Sequence, residues 1–419
     1  MDSSKQMPAA LDDLKVVELP MLDPMPFFAA SLAAKTMADL GAEVLKIEPP
    51  KAGAQDRHYG PVGRSGPDSE TRALHLYLDC NKLGATLDIT NPRGGELLMR
   101  ILGGADVVFN PNPPPLNDRL GLAWRTLCDR FPRLVVVSTT FFGSDSLYRN
   151  FRGGDLVATE MSGVGYETPF NQVTDPPNHP PLRAAERQAD YMTGYTAAAA
   201  AMVALEGRKR SGKAQHIDVN QWLSMVSTIR INVGQLSHDA PRSGMSRRLY
   251  VRRKTNAGWI YPCRDGFISF RSSPGNFWEG AVRMLESPEW TKEPIFATEL
   301  LRLKNSDAMD ALLTNWFMQY DKEEIFQRAQ AQGVPCFPLY NVREVAENRQ
   351  YKARDFFLKC DHPVAGHFQL PGPPYRMSRT PVTVRRPAPR LGEHNVAIFC
   401  ERLGISRDQL NALQSEGVI

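Results

Sequence analysis

Two short apolar runs decide the fold of this chain: Leu14-Lys15-Val16-Val17-Glu18-Leu19 and Glu43-Val44-Leu45-Lys46-Ile47. Both are rich in aliphatic and β-branched residues, which is typical of buried β-strands. Between them, residues 29–40 have helical spacing, and Gly41 is a suitable stop for a helix. A strand, a helix and a second strand in this order indicate a βαβ unit with parallel strands.

The same alternation continues toward the C-terminus. Further strands are predicted at residues 85–89, 106–109 and 134–138, with a helix over residues 93–102. Repeated βαβ units pack into one sheet with helices on both faces. The sequence therefore predicts an α/β fold whose large domain is Rossmann-like, with a doubly wound, mostly parallel sheet.

The middle of the chain predicts a second domain. Residues 190–206 are rich in Ala and Met and predict a buried helix, and residues 216–219 predict a strand after it. From about residue 224 the pattern changes to a basic loop, an aromatic section and charged helices. We expect residues 1–223 to form the N-terminal part of the large domain, residues 224–340 a smaller inserted α+β domain, and residues 341–419 a linker and a C-terminal return to the large domain.

The composition is that of an ordinary globular chain. Of 419 residues, 42% are hydrophobic and 23% are charged, and the net charge is +4. No apolar stretch approaches the roughly 20 residues that cross a bilayer, and the N-terminus does not resemble a secretory signal. The six cysteines are scattered, and the histidines have no metal-ligand spacing. We expect a cytoplasmic protein with no metal, no membrane association and no nucleic-acid partner.

A set of short motifs occurs in order along nearly the whole chain. These are Ala38-Asp39-Leu40-Gly41-Ala42-Glu43-Val44-Leu45-Lys46-Ile47-Glu48-Pro49-Pro50, Gly94-Gly95-Glu96-Leu97-Leu98, Asp118-Arg119-Leu120-Gly121-Leu122, Ala189-Asp190-Tyr191-Met192-Thr193-Gly194, Ser211-Gly212-Lys213-Ala214-Gln215-His216-Ile217-Asp218-Val219 and Leu391-Gly392-Glu393-His394. Together they resemble the family III coenzyme A transferases of the CaiB/BaiF type, which include the formyl-CoA transferases and the 2-methylacyl-CoA racemases.

The resemblance implies an interlocked dimer and places the nucleophile at Asp190, at the start of a helix. The reaction that the resemblance implies is transfer of coenzyme A from an acyl-CoA donor to a free carboxylic acid, the acceptor. A carboxylate nucleophile suits this reaction because the acceptor is also a carboxylate, so the exchange is close to thermoneutral. The family implies that Asp190 forms a mixed anhydride with the donor acyl group and then an aspartyl-CoA thioester. Without the motif context, an Asp before an apolar helix would be interpreted as an N-cap.

The resemblance also implies contacts with coenzyme A, which enters as a substrate. Lys82 and Arg119 match positions that lie along the CoA nucleotide and phosphates, although each could equally be a solvated surface cation. The other expected CoA contacts are Asn81, Asn112 and Phe28. The usual channel segment is replaced at residues 110–115, and the basic stretch at residues 247–254 could supply phosphate contacts instead.

Two alternatives remain open. The racemases carry a His in a G-H-D motif as a second acid or base, whereas this chain has Gly153-Gly154-Asp155. Transfer is therefore favoured over racemisation or epimerisation. The altered channel also allows a noncatalytic or half-catalytic subunit of a hetero-oligomeric transferase, so the partner is either a second copy of the chain or a related subunit.

Overall fold

The structure, a computed structural model, describes residues 9–62, 68–168, 178, 180–229, 260–272 and 277–419. Its main sheet has six strands: β1 (Lys15–Glu18), β2 (Glu43–Glu48), β3 (Leu83–Thr86), β4 (Val107–Asn110), β5 (Val135–Thr140) and β6 (His216–Asn220). Their order is β3-β2-β1-β4-β5-β6, and every neighbouring pair is parallel. The order changes direction between β1 and β4, as in a doubly wound sheet, so loops at the carboxyl ends of the strands can form a crevice there.

Helices cover the sheet. They are α1 (Ala29–Asp39), α2 (Ala73–Leu78), α3 (Pro92–Leu102), α4 (Pro114–Leu120), α5 (Trp124–Arg130), α6 (Asp155–Met161), α7 (Val164–Glu167), α8 (Gln188–Ser211) and α9 (Gln221–Val226). Side chains alternate along each strand, so Val16 packs with α1 and α8 while Val17 packs with α3 on the opposite face. A Cβ added at Gly194 would lie 2.8 Å from the carbonyl oxygen of Ala29. Glycine therefore permits the close packing of α8 on α1.

Contacts divide the chain into two compact units. The first contains Met1–Gly165, Arg183–Arg230 and Arg354–Ile419, and the second contains Tyr166–Leu182 and Ile231–Ala353. The second unit includes an antiparallel sheet of β7 (Ile260–Cys263), β8 (Gly266–Phe270) and β9 (Cys336–Pro338). Its helices are α10 (Phe277–Met284), α11 (Glu299–Lys304), α12 (Ser306–Phe317), α13 (Lys322–Ala331), α14 (Val342–Glu347) and α15 (Arg349–Ala353).

The C-terminal part of the chain belongs to the first unit. It contains the hairpin β10 (Phe357–His362) and β11 (Gly366–Pro371), a π-helix (Val396–Arg402) and α16 (Arg407–Ser415). Ile398 and Leu410 pack in the same apolar cluster as Val17 of β1. Both ends of the chain thus contribute to one core.

The predicted α/β class and the parallel sheet are confirmed. The strand predicted at residues 85–89 is shifted, because the ladder with β2 pairs Leu83 with Leu45 and ends at Thr86. The helix predicted over residues 190–206 is longer and continues to Ser211. In the part of the chain that the structure describes, no helix combines the length and apolar character needed to span a membrane.

Lys82 lies in a buried network of charges that includes Glu18 of β1 and Lys46 of β2. Its ammonium donates to Glu18 Oε2 over 2.6 Å, to the Ser31 carbonyl over 3.0 Å and to Asp79 Oδ1 over 3.1 Å. Lys46 also donates to Asp79, over 2.6 Å. Burial alone would raise the pKa of Asp79, but the cations around it lower that pKa well below its usual range. Asp79 therefore stays ionised, and the groups of the network are paired with one another.

This arrangement argues against the expected phosphate contact of Lys82, because its side chain is fully buried and all three ammonium protons have partners. Replacing Lys82 by Ala leaves Glu18 and Asp79 without that cation in a buried site. We expect a loss of about 3–5 kcal/mol in the free energy of unfolding. Urea denaturation measures this free energy. Lys209→Ala, at an exposed lysine of α8, is the control and is expected to change the free energy of unfolding by about 0.5 kcal/mol or less. Wild-type stability in Lys82→Ala would contradict this interpretation.

Candidate active site

Asp190 lies in the first turn of α8, and its side chain is fully buried. The backbone N–H groups at this helix start are bound by another carboxylate, that of Asp155 at the start of α6. Asp155 Oδ1 accepts hydrogen bonds from the N–H of Ala189 over 2.9 Å and from that of Asp190 over 3.4 Å. Because Asp155 performs this capping, the Asp190 carboxylate is available for other contacts.

Each oxygen of the Asp190 carboxylate accepts a hydrogen bond from a side chain. Arg187 Nε forms an ion pair with Oδ2, and Gln221 Nε2 donates to Oδ1 over 2.7 Å. Arg187 is held in turn, since its Nη2 donates to the Pro26 carbonyl over 2.7 Å and its guanidinium lies 4.8 Å from the centre of the Phe28 ring. Segments far apart in the sequence therefore meet at one carboxylate.

Burial raises the pKa of Asp190 to about 7. The positive charge of Arg187 opposes this shift, the negative charge of Asp155 adds to it, and a hydrogen bond from the backbone of Phe28 opposes it. Near neutral pH, both the carboxylate and the protonated acid are consequently populated. A strongly shifted pKa produced by burial and specific partners is typical of functional sites.

A cavity of about 1030 Å³ opens beside the start of α8. Its wall includes the rings of Tyr59, Tyr77, Tyr191, Tyr195 and Phe368. Arg187, the ion-pair partner of Asp190, also lines this cavity. The cavity is therefore large, mainly aromatic and aliphatic, and linked to the buried carboxylate through one arginine.

Arg119 is exposed on α4 and lines a separate pocket of about 340 Å³. Arg152 and Asn150, from the loop before α6, line the same pocket. Asp23 lines the pocket too, so two guanidinium groups stand against one carboxylate, and the excess positive charge favours an anionic ligand such as a phosphate. The structure thus places Arg119 where an anion can reach it, together with a second arginine that the sequence did not single out.

The other expected CoA contacts are structural in this arrangement. Asn81 has a φ of 71°, and its amide donates to Asp39 over 2.8 Å and to the Thr383 carbonyl over 3.0 Å. Asn112 is fully buried and donates to the Pro20 carbonyl over 3.0 Å. The structure argues against CoA contacts by either side chain, because both join neighbouring chain segments in the interior.

Phe28 has a different position from the one expected. Its ring is buried against Arg187, and its backbone N–H faces the Asp190 carboxylate. Its contribution is therefore to the environment of Asp190 rather than to an exposed CoA contact. The basic stretch at residues 247–254 lies outside the described residues.

Arg187, Gln221 and Asp155 were not identified as site residues from the sequence. A signal existed for two of them. Arg187 precedes Asp190 by three positions at a helix start, and Gln221 directly follows the carboxyl end of β6, the edge where ligand sites form in parallel sheets. Burial and the pairing across these segments are not visible in the sequence.

Groups with metal-binding chemistry occur elsewhere in the first unit. Glu70, His75 and His362 have ligand atoms close together. However, Arg57 Nη1 lies 2.9 Å from Glu70 Oε2 and 3.2 Å from His75 Nε2. A guanidinium therefore already occupies the position next to these groups, and the cluster fits a metal poorly.

Comparison with known proteins identifies the family. The model of CoA-transferase family III matches residues 11–395. The chain belongs to CoA-transferase family III. It is 28% identical over the full length of both chains to the succinyl-CoA–D-citramalate CoA-transferase of Chloroflexus aurantiacus, and 29% identical to the formyl-CoA:oxalate CoA-transferase of Streptomyces avermitilis, over 99% of this chain and 100% of that one.

A solved structure of a CaiB/BaiF family protein from Brucella suis is similar as well. Its TM-score is 0.79 at 27% sequence identity, and the match covers 94% of this chain and 100% of that chain. The family membership makes this chain a CoA-transferase, an enzyme that acts on acyl-CoA substrates.

The residue before Asp155 is Gly154, at the N-cap position of α6, and that position supplies no imidazole. A second acid or base for racemisation is therefore missing at that position.

Proposed function

We propose that this CoA-transferase moves coenzyme A from an acyl-CoA donor to a free carboxylic acid through covalent intermediates on Asp190. The observation that carries the proposal is the fully buried Asp190 carboxylate, which contacts Arg187 and Gln221 and has a pKa near 7. The relatives are named for citramalate and oxalate, both carboxylic acids, which supports an acid of this class as the acceptor.

In the first half-reaction, the ionised Asp190 attacks the carbonyl carbon of the donor thioester, and the C–S bond breaks to release CoA thiolate. The thiolate then attacks Cγ of Asp190 in the mixed anhydride, so the donor acid leaves and an aspartyl-CoA thioester remains. The acceptor carboxylate repeats these steps in reverse. Burial serves both intermediates, because water would hydrolyse either one.

Each attack at Cγ of Asp190 places negative charge on a carboxyl oxygen. Arg187 Nε already points at Oδ2, and the N–H of Phe28 faces the same carboxylate. Preorganised donors of this kind stabilise a developing oxyanion without reorganisation. We assign Arg187 this electrostatic role.

The pocket of Arg119 and Arg152 is our proposed phosphate site for CoA. Both side chains are exposed, and both line the same pocket.

We further propose that the enzyme acts in the cytoplasm as a dimer or with a related subunit. The free thiols of all six cysteines support the compartment, and the exposed apolar side chain of Val203 on α8 supports a protein interface.

Replacing Asp190 by Asn tests the covalent role. An amide cannot form the anhydride, so kcat is expected to fall by about a thousandfold or more, which corresponds to roughly 4 kcal/mol of barrier. The matched control is Asp129→Asn, an exposed aspartate on α5 that is expected to retain wild-type rates. Circular dichroism checks that both variants fold. A folded Asp190→Asn variant with more than about a thousandth of wild-type kcat would contradict the proposal.

Arg119→Ala tests the phosphate site. A phosphate contact is present equally in the ground and transition states, so KM for acyl-CoA is expected to rise about ten- to a hundredfold while kcat changes little. Added salt should weaken the wild type toward the variant. Arg133→Ala, at an exposed arginine outside the pocket, is the control. An unchanged KM in Arg119→Ala would place the CoA phosphates elsewhere.

A further inference from the structure

Gln221 is a buried glutamine with only one end of its amide satisfied. Its Nε2 donates to Asp190 Oδ1 over 2.7 Å, while its Oε1 has no hydrogen-bond partner among the described residues. The side chain is fully buried, and an unpaired buried acceptor destabilises the folded state. A purely structural role does not account for this arrangement.

Gln55 provides the contrast within the same unit. Its Nε2 donates to the Asp23 carbonyl over 2.5 Å, and its Oε1 accepts from the N–H of Phe27 over 3.3 Å. Both ends of that amide therefore join chain segments. Gln221, in comparison, has an acceptor left over directly beside the nucleophile.

The backbone around Gln221 is firmly placed. The preceding residue, Asn220, caps α9 through a hydrogen bond from the N–H of Leu223 over 2.8 Å, and the indole of Trp222 donates to the Met161 carbonyl over 3.1 Å. Since the Gln221 amide is also bound to Asp190, Oε1 lies at a fixed distance from the reacting carboxylate. A donor that meets Oε1 must therefore belong to a group attached close to the reacting atoms.

We propose that Gln221 Oε1 accepts a hydrogen bond from the cysteamine amide N–H of coenzyme A, and that Gln221 thereby positions the thioester against Asp190. This assignment rests on the proposed function. The reacting carboxylate of an ionised acceptor acid offers only acceptors, so it cannot satisfy Oε1. The CoA arm carries an amide N–H two methylene groups from its sulfur, and that sulfur is bonded to Cγ of Asp190 in the aspartyl-CoA intermediate.

Gln221 is thus a positioning and specificity residue for the CoA arm. In this assignment Gln221 has two contacts, one with the nucleophile and one with the CoA arm that leaves when the nucleophile attacks the thioester. Asp190 is itself buried. In this assignment, a substrate that reaches its carboxylate also brings the cysteamine arm beside Oε1. A site that hydrogen-bonds an N–H discriminates against an analogue without it, because its own polar group is then unpaired.

A pair of small donor thioesters tests this assignment. One is the acyl thioester of N-acetylcysteamine, and the other is the thioester of 2-mercaptoethyl acetate, in which an ester oxygen replaces the N–H. We expect wild-type kcat/KM to favour the amide donor by about tenfold or more. In Gln221→Met, which keeps the length of the side chain and removes both polar atoms, the ratio should fall to about one. Gln414→Met, at an exposed glutamine of α16, should keep the wild-type ratio.

A wild-type ratio near one overturns the assignment without any variant, so the test does not depend on the folding of Gln221→Met. An unchanged preference in a folded Gln221→Met variant overturns it as well. Failure of the proposed function has a different signature: a folded Asp190→Asn variant would then keep more than about a thousandth of wild-type kcat, whatever the ratio between the two thioesters.

Discussion

Removing a carboxylate from water costs several kcal/mol unless charges and hydrogen bonds replace the lost hydration. This cost applies to the buried carboxylate of Asp190, and groups from several surrounding elements offset it together. Arg187 supplies a positive charge at the start of α8, Gln221 supplies an amide at the end of β6, and Phe28 supplies an N–H before α1. Because β1 and β6 belong to one parallel sheet, the fold brings these groups together at its carboxyl edge.

The chain contains two kinds of buried carboxylate. One is fully paired with cations and contributes to stability, and the other is only partly stabilised by its partners and is suited to chemistry. In the network of Lys46, Asp79 and Lys82, cations lower the pKa of Asp79 well below its usual range, so that carboxylate stays ionised and paired. At Asp190 the contacts offset burial only in part, and the pKa rises to about 7. A carboxylate that is incompletely stabilised by its partners keeps the basicity that attack on a thioester requires.

The sequence was sufficient for the α/β class and the parallel sheet, and it singled out Asp190, which lies buried in the first turn of α8. The apolar runs of β1 and β2 and the glycine after α1 are local signals, and the parallel sheet follows from them. The roles of Lys82, Asn81 and Asn112 could not be predicted, because a lysine or asparagine has the same local sequence signal whether it faces solvent or an interior partner. Arg187 and Gln221 were missed for a related reason: their importance lies in contacts across the fold with Asp190 rather than in their own motifs.

Mass spectrometry of the enzyme quenched during turnover tests whether Asp190 carries the group being transferred. Trypsin cleavage after Arg187 and Arg208 isolates Asp190 in a peptide of residues 188–208. We predict that this peptide carries coenzyme A as a thioester that hydroxylamine removes, and that the Asp190→Asn variant lacks the adduct. Coenzyme A attached to a different peptide, or active transfer with no adduct on residues 188–208 even under rapid quenching, would contradict it.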